Sequence, residues 1–295
     1  MNTTEPQSTL DEVSASVPAQ SVPASPQPAS PQPASPQPAS PQLASPHPAR
    51  TPSDQLLIAA WAKRAGYARA LVGIYAATSL AVGAVFGPYA IATAVAIMSA
   101  IFIAGWPSLL DLPAHAIPRT MLTLLAIALI VTGLFGTVAH SAIVGAASVI
   151  AAFIAEMFRT DGRPRLIEQL SGGFAGAVVL MSGSLWIHAM RLSHGKNVVI
   201  VTAMAIAIVA VMHAFDSVAA RIAGFVNGIA FAIGFGYLTQ LWVESSVLIG
   251  VFTASAYLLT ARGVLEMPCP SPAINGAARA MIPPLLVGVV VLIAG

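Results

Sequence analysis

The chain has 295 residues, 57% of them hydrophobic and 8% charged, with a mean hydropathy of +0.81 and a formal net charge of +2. A soluble domain carries about 25% charged residues because its surface faces water, so this composition excludes an ordinary soluble fold and makes hydrocarbon the expected solvent. Cys269 is the only cysteine, which excludes an intrachain disulfide and a cysteine-based metal cluster.

Residues 1–53 hold 13 of the 23 prolines and almost no apolar periodicity. An Ala-Ser-Pro-Gln-Pro repeat starts at Ala24, Ala29 and Ala34, then decays to Ala-Ser-Pro-Gln-Leu at Ala39 and Ala-Ser-Pro-His-Pro at Ala44. Proline at this density removes amide donors and fixes φ, so neither helix nor sheet is expected. The prediction is a disordered, extended, polyproline-II-like tail. It reads as a low-complexity spacer, or as a ligand for a proline-recognising protein partner. No basic segment precedes a short apolar run, so it does not read as a signal peptide.

From Asp54 the character changes. Ser53 or Asp54 can cap a helix through Leu56, Leu57, Ile58 and Trp61 that closes on Lys63 and Arg64. Residues 54–66 therefore read as a basic amphipathic segment that lies on the membrane surface or leads directly into the first span. Beyond it, residues 67–295 read as an all-α, polytopic transmembrane bundle. A span needs about 20 apolar residues. On that basis nine are expected, at 67–86, 88–106, 120–139, 141–158, 171–190, 197–213, 222–238, 243–261 and 279–295. The fifth is the weakest because it is rich in glycine and serine, and without it the count is eight.

Basic residues set the orientation. With the N-terminus inside, Arg50, Lys63, Arg64, Arg69, Arg119, Arg159, Arg163, Arg165, Arg221, Arg262 and Arg279 are cytoplasmic, and only Arg191 and Lys196 are outside. Basic loops stay in the cytoplasm, so this asymmetry supports nine spans with an extracytoplasmic C-terminus in a plasma membrane.

In lipid, helices associate through close backbone approach rather than through apolar burial. Small residues at four-residue spacing mark the packing faces: Gly73, Ala77 and Ala81 in the first span, Gly172 and Gly176 in the fifth, Gly224, Gly228 and Ala232 in the seventh. The fourth span carries Ser141, Gly145, Ser148 and Ala152 on one face, and Glu156 continues it.

Glu156 is the charge set furthest inside a span end, where charges are costly. It either points into a polar cavity or pairs with Arg159 at i+3. Around it lies the densest charge cluster, Glu156, Arg159, Asp161, Arg163, Arg165 and Glu168. Asp161-Gly162 favours a tight turn and Pro164 blocks helix continuation. The cluster reads as a topology-setting loop. The sharper reading is a site for an anion or lipid headgroup on Arg159, Arg163 and Arg165. His213 and Asp216 share a face at the end of the sixth span and read as a helix-end capping pair, or as a proton relay or half of a metal site. His188 with Arg191 is a similar pair at the outer end of the fifth. Asn227 is expected to make an interhelical hydrogen bond. Cys269, in Met-Pro-Cys-Pro, reads as an incidental thiol.

Two segments carry a resemblance: Gly105-Trp106-Pro107-Ser108-Leu109-Leu110-Asp111-Leu112-Pro113 and the 156–168 cluster. Together they resemble segments of actinobacterial multi-pass membrane proteins of unknown function, over residues 67–190. The resemblance implies an envelope membrane protein and brings no catalytic residues with it.

Gly195-Lys196-Asn197 lacks the spacing and hydroxyl of a phosphate-binding loop, and no His-Glu-x-x-His segment occurs. Asp161-Gly162 is similar to the start of the CDP-alcohol phosphotransferase motif, but its Ala-Arg pair and downstream aspartates are missing. The lysine- and glycine-rich ending of phosphatidate cytidylyltransferases is missing too. No catalytic residue, cofactor or metal is assigned, and the balance leans away from an enzyme. Membrane lipids are the expected partners, nucleic acid is not, and oligomeric state is not legible. The leading expectation is a transporter-like or permease-like bundle. The alternatives are a membrane enzyme acting on a lipid phosphate and a non-catalytic scaffold or subunit.

Overall fold

The structure is a computed structural model that describes residues 52–158, 162, 165–215, 217–265, 267 and 273–294, with side chains placed from Gly66 onward. Among the described residues there are helices and no strands. They are α1 (Pro52–Phe86), α2 (Pro88–Leu109), α3 (Ala116–Phe135), α4 (Val138–Met157), α5 (Leu166–Ala189), α6 (Gly195–His213), α7 (Val218–Leu238), α8 (Val243–Leu265), α9 (Ile274–Leu286) and α10 (Gly288–Ala294). Nine stretches among the described residues are long and apolar enough to cross a membrane, the last formed by α9 and α10 together. The chain is a polytopic transmembrane helical bundle.

The repeat-bearing tail, Arg159, Arg163, Asp216 and Cys269 lie outside the described residues. The segment at 54–66 is helical without a break and is the N-terminal part of α1, whose membrane-crossing stretch is Gly66–Phe86. At 1.5 Å per residue a helix of 35 residues is about 50 Å long, well beyond a hydrocarbon core of about 30 Å. Helix α1 opens at Pro52, where the missing amide costs nothing, so Ser53 and Asp54 stand inside the helix instead of capping it.

Local chemistry fixes the joints. Gly87 alone separates α1 from α2, at φ +108°, a conformation that favours glycine, and Pro88 then starts α2. Thr137 caps α4 in a reciprocal box with His140: the Thr137 amide donates to His140 Nδ1 at 3.2 Å, and the His140 amide donates to Thr137 Oγ1 at 3.4 Å. Ser217 caps α7 by accepting from the Ala220 amide at 3.1 Å.

Helix α1 packs on α2 and α6, α2 on α9, α6 on α7 and α8, and α5 on α2, α3, α4 and α10. The interior holds Leu80, Ile91, Met98, Phe102, Trp186 and Ile206. The glycine-rich fifth span, weakest in the sequence, is the most buried of the nine. Its glycines lower the hydropathy, but at Gly172, Gly176 and Gly183 a neighbouring side chain occupies the space a Cβ would take. Gly176 faces Trp106 and Leu122, and Gly183 faces Leu285. Helices α4 and α7 are peripheral and the least buried of the spans.

The ninth span is broken. Pro283 and Pro284 lack amide hydrogens, and inside a helix each removes a hydrogen bond and crowds the carbonyl four residues back. A broken helix in hydrocarbon must have its freed polar groups satisfied by neighbours. Helix α5 does this: Ser182 Oγ donates to the Leu286 carbonyl at 2.8 Å, and Trp186 Nε1 donates to the Pro284 carbonyl at 3.1 Å. The Val289 amide in turn donates to Ser182 Oγ at 3.2 Å.

Candidate functional site

The tryptophan-proline segment at 105–113 and the start of α5 are neighbours in space. Trp106 Nε1, on α2, donates to the Gly172 carbonyl of α5 at 2.9 Å. Arg165, just before α5, donates from Nη1 to the Asp111 carbonyl at 2.9 Å and to Asp111 Oδ2 at 3.1 Å. Its Nε donates to Glu168 Oε2 at 2.6 Å, and its Nη2 pairs with the same oxygen. Gln169 Nε2 completes the join by donating to the Ala114 carbonyl at 2.9 Å. Hydrogen bonds to Glu168 first and Asp111 second hold the Arg165 guanidinium above its ordinary pKa. All three nitrogens of Arg165 are thus engaged by two carboxylates and a carbonyl. Of the three arginines expected to hold a headgroup, Arg165 is a strut between loops, and Arg159 and Arg163 lie outside the described residues.

Glu156 sits at the end of α4 on its buried face, which consists of Ser141, Gly145, Ser148, Ala152 and Glu156. It is only 5% exposed. With Gln169, Pro118 and Gly173 it lines a recess of about 10 Å³, scarcely room for one water. Ile117 and Met121 also line this recess, and both continue into a much larger groove of about 520 Å³ between α3 and α4. The groove is walled by Leu124, Leu125, Ala128, Val144, Ala147 and Ala151. Its two hydroxyls are already satisfied by their own helices: Thr120 donates to the Ala116 carbonyl at 2.9 Å and Ser148 to the Gly145 carbonyl at 2.6 Å. The groove therefore presents hydrocarbon-compatible walls with a buried carboxyl group next to one end.

His213 lies elsewhere. It lines a separate small cavity with Arg69, Tyr257 and Arg279, its ring edge-on to Tyr257 at 6.3 Å. Glu156 and His213 therefore do not converge on one cavity, and Asp216 lies outside the described residues. Asn227 corrects the expectation placed on it. Its Nδ2 donates to the Ala223 carbonyl of its own helix at 2.8 Å, because a short amide side chain reaches the carbonyl four residues back without a neighbour.

At the far end of the bundle the structure joins residues that spacing alone did not connect. Ser141 Oγ shares hydrogen bonds of 2.8 Å with both Thr132 Oγ1 and His188 Nε2, linking α3, α4 and α5. Arg191 donates from Nη1 to the Gly136 carbonyl. Asn197 Nδ2 donates to the Thr239 carbonyl at 2.9 Å, tying the start of α6 to the end of α7. Ser141 is legible as a packing position on its own helix. Its partner is not, since periodicity along one helix does not say which other helix it meets.

Comparison with known proteins finds no matching family model, no matching curated protein and no matching solved structure. The chain is defined by its architecture, a multi-pass α-helical membrane protein.

Proposed function

We propose that the protein is a permease-like membrane protein whose ligand is an amphiphile drawn from the bilayer. The observation that carries this reading is the α3–α4 groove, large enough for a hydrocarbon chain and abutting the recess of Glu156 and Gln169. Ligand sites are typically apolar concavities of roughly 300–1,000 Å³ with a few convergent polar groups. Here the apolar part lies at membrane depth and the polar part at a span end, the arrangement an acyl chain with a polar head requires. Helix α4 packs on α3 and α5 at the bundle's edge, so the groove lies at the periphery and not in the interior.

Ala151 lines the groove and is exposed, so Ala151→Trp fills the groove without overpacking the core. Lipid retained by the purified protein, measured by native mass spectrometry, is expected to fall at least several-fold in this variant. Unchanged retention would remove the groove from the reading. A retained lipid recovered with an altered headgroup would instead favour the enzyme that acts on a lipid phosphate. Thermal unfolding of the variant, expected to match the parent, separates a blocked groove from a damaged fold.

The same reading places the chain in a plasma membrane with its N-terminus in the cytoplasm, as an envelope protein like the actinobacterial proteins it resembles. Support comes from the alternation of nine spans, which puts Arg69, Arg119, Arg165, Arg221, Arg262 and Arg279 at one end and Arg191 and Lys196 at the other. A reporter fused after Gly295 is expected to be active only if it folds outside the cytoplasm. Cytoplasmic activity there would overturn the orientation.

A further inference from the structure

We propose that the cavity between α1, α6, α8 and α9 is a binding site for one small monovalent anion of halide size. Four helices bring Arg69, His213, Tyr257 and Arg279 to its wall. Its volume is about 20 Å³, enough for a single water-sized particle and too little for a phosphate group. The described wall carries two guanidinium groups and no carboxylate.

Arg279 makes the case specific. Its side chain is 9% exposed, its Nη2 donates to the Met267 carbonyl, and its buried Nε has no hydrogen-bond partner. A buried donor without an acceptor is costly, and more so on a charged group. A water molecule can accept that hydrogen bond but brings no negative charge to the guanidinium, whereas a small anion answers both. Tyr257, buried at the same wall, adds a phenolic O–H able to donate to an anion. The arrangement selects against cations and against anions too large to enter.

The chain offers a competing source of negative charge. Asp216 follows His213 by three residues and Glu266 directly follows Leu265, which lines the cavity; both lie outside the described residues. A carboxylate from the chain and a free halide are therefore the two candidates, and salt substitution distinguishes them. The full-length protein, in detergent or nanodiscs, is titrated with sodium chloride or bromide against sodium gluconate at constant ionic strength. The melting temperature is expected to rise saturably with halide and not with gluconate, as linkage requires for a ligand that binds only the folded state. Arg279→Gln is expected to weaken the halide midpoint at least tenfold. Arg262→Gln, which removes an exposed arginine at the same end of the bundle, should leave it unchanged.

Bromide soaked into crystals of the parent should give anomalous density between Arg69 and Arg279. Equal melting in halide and gluconate, or a halide midpoint unmoved by Arg279→Gln, would overturn the proposal and assign the cavity to the chain's own carboxylates. Should Arg279→Gln fail to fold, Arg279→Lys keeps the charge while deleting Nε, and a midpoint it leaves unmoved overturns the proposal equally.

Discussion

Trp186→Ala is expected to destabilise the solubilised protein by about 3–5 kcal/mol, the upper range for truncating a buried side chain. Trp186 is fully buried and belongs to the interior cluster. Its removal leaves a large cavity and also strips the Pro284 carbonyl of its indole donor. That carbonyl lies in the last turn of α9, next to the break at Val287 that separates it from α10. Trp186→Phe separates the two contributions. It keeps most of the ring volume and should cost about 1–3 kcal/mol through the unsatisfied carbonyl. Tyr237→Ala, on a residue 80% exposed, is the control and should change little. The measurement is thermal or denaturant unfolding in one detergent. A Trp186→Ala loss no larger than that of Tyr237→Ala would show that α5 does not brace the broken helix.

Gly288 belongs to the same joint and gives a second readout of it. A Cβ there would collide with the Ser182 carbonyl oxygen and lie 3.0 Å from Trp186 Cδ1. The first of these is a backbone atom that cannot swing aside, so helix α10 must shift even for alanine. The joint therefore combines three features: a break at Val287 just after two prolines, a serine and a tryptophan that satisfy carbonyls beside it, and a glycine that lets α10 approach α5. The sequence displays each residue, yet nothing in one helix says that Ser182 serves a carbonyl 104 residues away.

That division runs through the whole molecule. What depends on period within a single helix is legible: the buried face of α4 consists of the residues at four- and three-residue spacing that the small-residue pattern marks, Glu156 included. What depends on which helices meet is not. Trp106 with Gly172, Arg165 with Asp111, and Ser141 with His188 all join different helices or loops, and their partners follow only from the packing. Arg165 is legible as a basic loop residue suited to an anion, but one of the carboxylates that engage it, Asp111, comes from the segment after α2 and follows only from the packing. Asn227 shows the converse error, an interhelical bond expected where the residue's own helix already offers an acceptor. Hydropathy likewise misjudges the fifth span, because burial among other helices tolerates glycine and serine that lipid exposure would not favour.

The face of α7 gives the second large effect. Gly224, Gly228, Ala232 and Gly236 are its buried residues, one every turn, and the helix packs on α6 and α8. A Cβ at Gly228 would lie 2.8 Å from Val209 Cγ2 and 3.3 Å from Ala254 Cβ, contacts with both neighbours at once. At Gly224 it would lie 3.0 Å from Met212 Cβ. Leucine at either position adds three further carbons to a space already closed, so α7 must move outward and lose dispersion contacts along its length. Overpacking of this kind costs about 1–3 kcal/mol. Gly228→Ala should cost less than Gly228→Leu, since Val209 is stiff but only one methyl must be accommodated. Ala230→Leu, on the exposed face of the same helix, adds comparable bulk where lipid yields to it and should stay within about 0.5 kcal/mol of the parent. The order expected in detergent melting is therefore Gly228→Leu lowest, Gly228→Ala intermediate and Ala230→Leu indistinguishable from the parent. If Gly228→Leu and Ala230→Leu melt together, close approach through the glycine face does not hold α7 to the bundle.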